Sequence, residues 1–340
     1  MNIESVTRVT VISGLAHVGK STVARLLGTD PVALSPEADA AGLVRDAIQR
    51  RPPGGVVVVE AHPGLSPLDV AAGLLAIDGA DLVAPGAPTP QLGDLVTVLD
   101  ASRFWRDLRR EGPAHPGADS DDDRTLGDLL VEQIEWATVV VINKTDLVSA
   151  AACDDIRDFV RLLNPASHVL CTHRGHDGAG TPWPAPRGDV LTWLQRSPGW
   201  VAQLNGETLL WRSTFGLTCV VYREPRPFHP ERLADFLANR AGDAGEVLRS
   251  RGLFRLATRV GIIGSWSSAG PTVTFEPTDM STADAESPWG QEIAFFGRNL
   301  DPDRLVALLD ACLLSDDELL AGPSAWARLA DPFPFWDVDA

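Results

Sequence analysis

Short apolar runs alternate with helically spaced segments through the first half of the chain. Strand-like runs precede Gly14 and recur at Pro31–Ser35, Val56–Glu60, Leu95–Leu99, Val140–Asn143 and His168–Cys171. Between them, apolar residues at intervals of three and four predict helices from Lys20 to Gly28 and over Ala38–Arg50, Leu68–Leu75, Ser102–Arg110, Thr125–Trp136 and Ile156–Leu163. Pro52-Pro53-Gly54-Gly55, the Pro/Gly loop Pro85–Pro90 and the acidic insert Gly112–Asp123 punctuate the series. Such alternation predicts an α/β domain with a mostly parallel sheet and its ligand site at the carboxyl ends of the strands. Gly178–Gly188 is rich in Gly and Pro, and after Ser213 the order changes. Strands are expected at Thr214–Tyr222, Leu253–Thr258, Gly261–Trp266, Thr272–Phe275 and Glu292–Phe296, with helices at Pro230–Asn239 and Asp301–Leu313. That order suits a smaller α/β sandwich with helices on one face. The expected division is 1–178, a linker region 179–212, and 213–340.

The most informative stretch is Thr10–Leu27, TVISGLAHVGKSTVARLL. A strand, the loop Gly14-Leu15-Ala16-His17-Val18-Gly19-Lys20-Ser21 and a helix follow in the order of a phosphate-binding loop, a P-loop. Gly14 and Gly19 allow amides to turn inward around a polyphosphate, with Val18 and Thr22 flanking the cradle. Lys20 then reaches the terminal phosphates, and the Ser21 hydroxyl is placed to ligate Mg²⁺. The alternative is a glycine-rich turn that binds nothing. Glu60, closing a β-branched strand, falls where such proteins place a second acidic residue near Mg²⁺ or its water shell; a carboxylate at an exposed strand end is the other reading.

Composition sharpens this. Of 29 basic residues only two are lysines, Lys20 and Lys144. Lys144 lies in Asn143-Lys144-Thr145-Asp146, and the Asp146 carboxylate can accept from both N1–H and the exocyclic amine of guanine, a donor pair adenine lacks. GTP is therefore the expected ligand. A net charge of −17 speaks against wrapping nucleic acid non-specifically, leaving contact through a local basic patch or as a ribosome-bound factor as the alternative. Apolar runs stay too short to span a bilayer, no signal peptide is evident, and four scattered cysteines form no framework, so a cytoplasmic protein with reduced thiols is expected.

Several further features have bland readings beside sharp ones. Asp119 and Asp121–Asp123 are read as a solvated loop tip rather than a cation site. Cys171, His173 and His176 belong to a loop that either packs on guanine or supplies part of a metal site. Arg249, Arg251, Arg255 and Arg259 are read as ordinary surface, and the aromatic tail of Trp326, Phe333, Phe335 and Trp336 as docked on its own domain.

Leu95–Ala101 (LVTVLDA), Leu130–Ala137 (LVEQIEWA) and Asn143–Val148 (NKTDLV) join the loop in a wider likeness. Arg251–Ala257 (RGLFRLA), Gly264–Ser267 (GSWS) and Phe296–Asp301 (FGRNLD) extend it into the second half. Together these resemble the CobW-type members of the GTPase class that also holds UreG and HypB. The resemblance implies a P-loop GTPase domain with a C-terminal CobW domain, a metallochaperone-like role in zinc or cobalt supply, and an unidentified client protein. Several departures qualify it. The family's C-x-C-C motif is missing, since Ser21 to Glu60 contains neither cysteine nor histidine. That interval is also short, leaving Glu37 or Asp39 for the first switch. Where relatives follow the strand's glutamate with two residues and then a glycine whose N–H senses the γ-phosphate, Glu60 is followed here by Ala61-His62-Pro63-Gly64, and proline has no N–H. His17 replaces a loop glycine and needs either an unstrained or a left-handed backbone. His62 either orients water or sits on a surface turn. The expectation is a slow or partner-activated GTP hydrolase; the alternative is a hydrolysis-deficient binding module of the same fold.

Overall fold

The computed structural model describes residues 7–27, 30–35, 40–50, 55–75, 91–114, 124–173, 176–177, 183, 190–194, 198–207, 213–284, 287–288 and 290–336. Glu37, Asp39, Asp119, Asp121–Asp123 and the His176 side chain, all singled out above, lie outside the described residues. The chain divides into two compact units, Met1–Pro198 and Gly199–Ala340.

The first unit contains strands β1 (Arg8–Ser13), β2 (Val32–Leu34), β3 (Val56–Ala61), β4 (Gln91–Asp100), β5 (Val139–Asn143), β6 (His168–His173) and β7 (His176–Asp177). Its helices are α1 (Lys20–Leu26), α2 (Ala40–Gln49), α3 (Pro67–Leu75), α4 (Phe104–Leu108), α5 (Leu126–Trp136), α6 (Ala150–Leu163) and α7 (Val190–Leu194). The sheet order is β2-β3-β1-β4-β5-β6-β7, parallel except for the short antiparallel β7. β1 is flanked by β3 and β4, so the chain leaves β1 where the strand order reverses, the place where open α/β sheets open a crevice.

Burial on both faces explains the unbroken apolar strands. Val9, Val11, Val57, Val59 and Leu95 meet Val44 and Ile48 of α2 and Val70 and Leu74 of α3, while Ile12, Val58 and Val96 are buried on the opposite side. Every residue of β5 is buried, each valine there contributing about 1.5–3 kcal/mol relative to exposure. Side-chain caps set the starts of α5 and α6. The Thr125 hydroxyl accepts from the Asp128 amide (3.1 Å) and the Asp128 carboxylate from the Thr125 amide (2.9 Å), a reciprocal capping box for α5. Ser149 caps α6 by accepting from the Ala152 amide (3.2 Å), so α6 starts six residues before the expected Ile156. Among the described residues no helix is long and apolar enough to cross a membrane.

The second unit contains α8 (Gly199–Leu204), β8 (Leu217–Glu224), α9 (Pro230–Asn239), β9 (Glu246–Phe254), β10 (Ile262–Ala269), β11 (Thr272–Ser281), β12 (Gln291–Arg298), α10 (Pro302–Asp310), α11 (Asp316–Ala321) and α12 (Pro323–Trp326). Its antiparallel sheet runs β11-β10-β9-β12-β8. Tyr222, Phe254, Trp266, Ile293 and Phe295 form one core with Leu233 and Phe236 of α9 and Leu305 and Leu309 of α10. Two expectations are corrected here. The strand expected at Leu253–Thr258 is β9, which starts at Glu246 and ends at Phe254. The arginine cluster is not plain surface. Arg249 is buried, donating to the Ser267 hydroxyl (2.8 Å) and the Ser268 carbonyl (3.0 Å), and Arg259 pairs with Asp331 (3.0 Å) and lies over the Trp336 ring. Trp336 is docked as expected, whereas Phe335 is 92% exposed.

Candidate functional site

The loop from Gly14 to Gly19 leaves the end of β1 and turns into α1 at Lys20. Three of its residues hold positive φ: Gly14 (148°), His17 (61°) and Gly19 (101°). His17 thus takes the left-handed option, which a non-glycine residue adopts at some cost. The two glycines are required by space as well. A Cβ on Gly14 would lie 2.6 Å from the Val98 carbonyl oxygen and 2.8 Å from a Val18 methyl, and one on Gly19 would collide with the Asn143 carboxamide. Val18 is buried and His17 exposed, while the Thr22 and Val23 amides both donate to the Gly19 carbonyl to start α1.

Lys20 is 7% exposed, and its ammonium sits inside the loop, donating to the carbonyls of Gly14 (2.7 Å) and Leu15 (3.4 Å). Burial lowers its pKa to about 8 against the partial support of the Glu60 charge. Glu60 pairs in register with Ile12 at the end of β3, so the carboxylate and the ammonium share one end of the sheet. Ser21 follows Lys20 in α1. The Ser13 hydroxyl, fully buried before the loop, has no hydrogen-bond partner among the described residues.

The end of β5 closes onto this loop. Asn143 donates to the Val18 carbonyl (2.9 Å) and accepts from the Thr172 hydroxyl (3.0 Å). Lys144, with φ 60°, donates to the His17 carbonyl (2.7 Å) and to Asp100 (2.6 Å). Burial would raise the Asp100 pKa, but hydrogen bonds from Lys144 and Ser102 and the Lys144 charge outweigh it and hold the carboxyl below its ordinary value. Arg103 joins the same cluster, donating to the Ala16 carbonyl (2.7 Å) and lying 3.2 Å from Asp100. Thr145 donates to the Thr172 carbonyl (3.1 Å), and the Asp146 side chain is exposed beside that turn. The structure therefore gathers Gly14–Thr22 and Asn143–Asp146 at one end of the sheet, with Glu60 on the next strand.

The segment after β3 is held from outside the loop. Gln133 donates to the Pro63 carbonyl (3.1 Å), Arg124 to the Gly64 carbonyl (3.1 Å), and the Gly64 amide to Nδ1 of His62 (3.2 Å). Asp100, Arg103, Thr172, Arg124 and Gln133 were missed as site residues in the sequence, although Asp100 is visible there as the polar end of an apolar run. Cys171 meets Cys153 rather than histidine, and among the described residues no group of three metal-binding side chains converges.

The family description "CobW/HypB/UreG, nucleotide-binding domain" matches residues 43–170, from α2 to β6, and "Cobalamin synthesis protein cobW C-terminal domain" matches 217–313. The chain is 29% identical to Zinc-regulated GTPase metalloprotein activator 1 of Dictyostelium discoideum over 71% of its own length, spanning 56% of that relative. It is 25% identical to a zinc chaperone of Mycobacterium tuberculosis over 86% of its length and 75% of that protein. Among solved structures, Zn(II)-bound YjiA GTPase from E. coli aligns over 92% of this chain and 100% of that one at 13% identity and a TM-score of 0.36. Matched in both of its halves, with a parallel-sheet domain and an antiparallel C-terminal one, the chain belongs to the CobW family within the CobW/HypB/UreG class of GTPases.

Proposed function

We propose that the chain binds GTP at the loop Gly14–Ser21 and hydrolyses it slowly or on partner activation, acting in the cytoplasm on a client protein in zinc or cobalt homeostasis. The observation that carries the nucleotide reading is the direct joining of its two motifs. Lys144 and Asn143 hold the carbonyls of His17 and Val18, so the guanine-selecting strand end and the phosphate loop form one rigid unit. Asp146 would accept from the guanine edge, and Lys20, released from the Gly14 and Leu15 carbonyls, would meet the terminal phosphates. The residues present fit Mg²⁺: the donors are hard oxygens, a hydroxyl at Ser21 and a carboxylate at Glu60, and the loop cradle is one a Cβ would fill. Bound there, Mg²⁺ supplies charge neutralisation on the phosphate oxygens. The metal-supply role is drawn from the relatives' names and not from a thiolate site, because the soft ligands of the C-x-C-C motif are missing.

A second reading has an observation of its own. Pro63 offers no N–H, and the Gly64 amide is already engaged by His62, which suits a nucleotide-binding module that does not turn over. Titration of labelled GTP and ATP against wild type, Lys20→Ala and Asp146→Asn tests the binding claim. Tight GTP binding lost in Lys20→Ala, with selectivity over ATP lost in Asp146→Asn, is expected; equal binding of all ligands to all three proteins overturns it. Phosphate release under multiple turnover then separates the enzyme from the module.

A further inference from the structure

We infer that Cys153 and Cys171 form a peroxide-oxidisable thiol pair that closes to a reversible disulfide at the base of the Asn143–Asp146 turn. The argument begins with placement. Cys153 lies in the first turn of α6 and Cys171 in β6, where it pairs in register with Ile142 of β5. Their sulfurs are 3.4 Å apart, against about 2.05 Å in a disulfide, a gap that side-chain rotation can close. Arg157, one turn further along α6, donates from Nη2 to the Cys171 sulfur (3.1 Å) and is itself paired with Asp154. A guanidinium on the sulfur is poor company for a metal cation and good company for a thiolate. Cys171 is half-buried, so a small oxidant can reach it, whereas Cys153 is buried behind it.

Electrostatics divide the roles in the same sense. The hydrogen bond from Cys153, with the Arg157 contact and charge, brings the Cys171 thiol down to about 6 against burial. The same hydrogen bond and burial push Cys153 upward. Cys171 is therefore the attacking sulfur and Cys153 the resolving one. The Cys171 thiolate attacks one oxygen of hydrogen peroxide, the O–O bond breaks, hydroxide leaves, and Cys171 becomes a sulfenic acid. Cys153 then attacks the Cys171 sulfur; the S–S bond forms, the S–O bond breaks, and the departing hydroxide takes the Cys153 proton as water. The two thiols lose two electrons and two protons in all, and peroxide is reduced to two waters.

The bond would tie the start of α6, which follows the Asn143–Asp146 turn, to β6, the strand paired with β5. Thr172, next to Cys171, already carries hydrogen bonds to Asn143 and from Thr145, so the link reaches the turn through one residue. None of this depends on the nucleotide reading.

The test uses the full reduced chain, treated with graded hydrogen peroxide, blocked with N-ethylmaleimide and digested without reductant for mass spectrometry. An intramolecular Cys153–Cys171 peptide, making the chain about 2 Da lighter and restored by dithiothreitol, is the expected product. Cys219 and Cys312 are internal controls: burial pushes their thiols up to about 12 and about 11, and each should react at least about tenfold more slowly than Cys171. In Cys153→Ser the sulfenic acid at Cys171 should persist long enough for dimedone labelling, and Arg157→Gln should slow linkage several-fold without abolishing it. Wild-type chain in which both thiols remain alkylatable at peroxide doses that oxidise added glutathione, or in which Cys171 passes to sulfinic acid unlinked, overturns the proposal.

Discussion

The amide of Gly64 donates to Nδ1 of His62 across 3.2 Å, so the first backbone N–H after Pro63 is turned onto its own segment. The carbonyls on either side are also held, Pro63 by Gln133 and Gly64 by Arg124. In a GTPase this amide is the one available to sense a γ-phosphate, and the ring competes for it. Replacing His62 by Ala removes a hydrogen bond of about 1 kcal/mol and should raise single-turnover GTP hydrolysis about three- to tenfold while leaving GTP affinity within threefold. Phosphate release after rapid mixing measures this. A slower variant would instead assign His62 to orienting water.

Lys20 predicts a pH dependence with a definite sign. Burial lowers its pKa from 10.5 to about 8, so the folded protein binds fewer protons than the unfolded chain between those values. Keeping the ammonium charged in the fold therefore costs stability below about pH 8, and that cost is relieved as pH rises from about 8 towards 10.5. A polyphosphate reverses the preference by stabilising the ammonium. GTP affinity should be level from pH 6 to 7.5 and then weaken above about pH 8, by at most about tenfold per unit. Isothermal titration across that range checks it; the residual binding of Lys20→Ala should lack the decline.

Gly19 is fixed by two independent constraints, φ of 101° and the Asn143 carboxamide against the missing Cβ. Asn143 cannot yield without releasing Val18 and Thr172. Gly19→Ala should lower stability by about 1–3 kcal/mol and abolish GTP binding, read by thermal unfolding and nucleotide titration. Gly73→Ala in α3 is the control, because a Cβ there meets nothing within 4 Å; it should leave GTP binding unchanged.

What could be read from the sequence and what could not divide along physical lines. The loop Gly14–Ser21 and the turn Asn143–Asp146 are each contiguous in the chain, so both could be picked out before any fold was known, and the structure brings them together. Arg103, Arg124 and Gln133 act through side chains that cross between elements, and nothing in local spacing marks such partners. β9 was misplaced for a related reason. Arg249 and Arg251 interrupt its apolar alternation and read as surface, whereas Arg249 is buried because Ser267 and Ser268 on β10 supply its acceptors. The Cys153–Cys171 contact was equally invisible, since the cysteines are 18 positions apart and meet only when α6 lies against β6.

The aromatic tail leads to a prediction about the second unit alone. Trp336 is 7% exposed, lies edge-on to Phe254 at 6.0 Å between ring centres, and donates from Nε1 to the Phe275 carbonyl (3.2 Å). The Arg259 guanidinium sits 4.0 Å over its ring and is held by Asp331, which also accepts from the Thr258 hydroxyl (2.6 Å). Trp336→Ala should therefore cost about 3–5 kcal/mol, as for other buried tryptophans, and lower the melting temperature of this unit by about 10 °C. Acid should loosen the same clamp. Burial raises the Asp331 pKa, but hydrogen bonds from Arg259, Thr258 and the Phe333 amide outweigh it and hold it below the ordinary 3.8. Its contribution is thus complete above about pH 4 and is lost as pH falls through the lower folded value. Tryptophan fluorescence should report loosening of Trp336 in wild type as pH falls below about 4, whereas Asp331→Asn, which lacks the ion pair throughout, should show the loosened signal already at neutral pH and no such acid step.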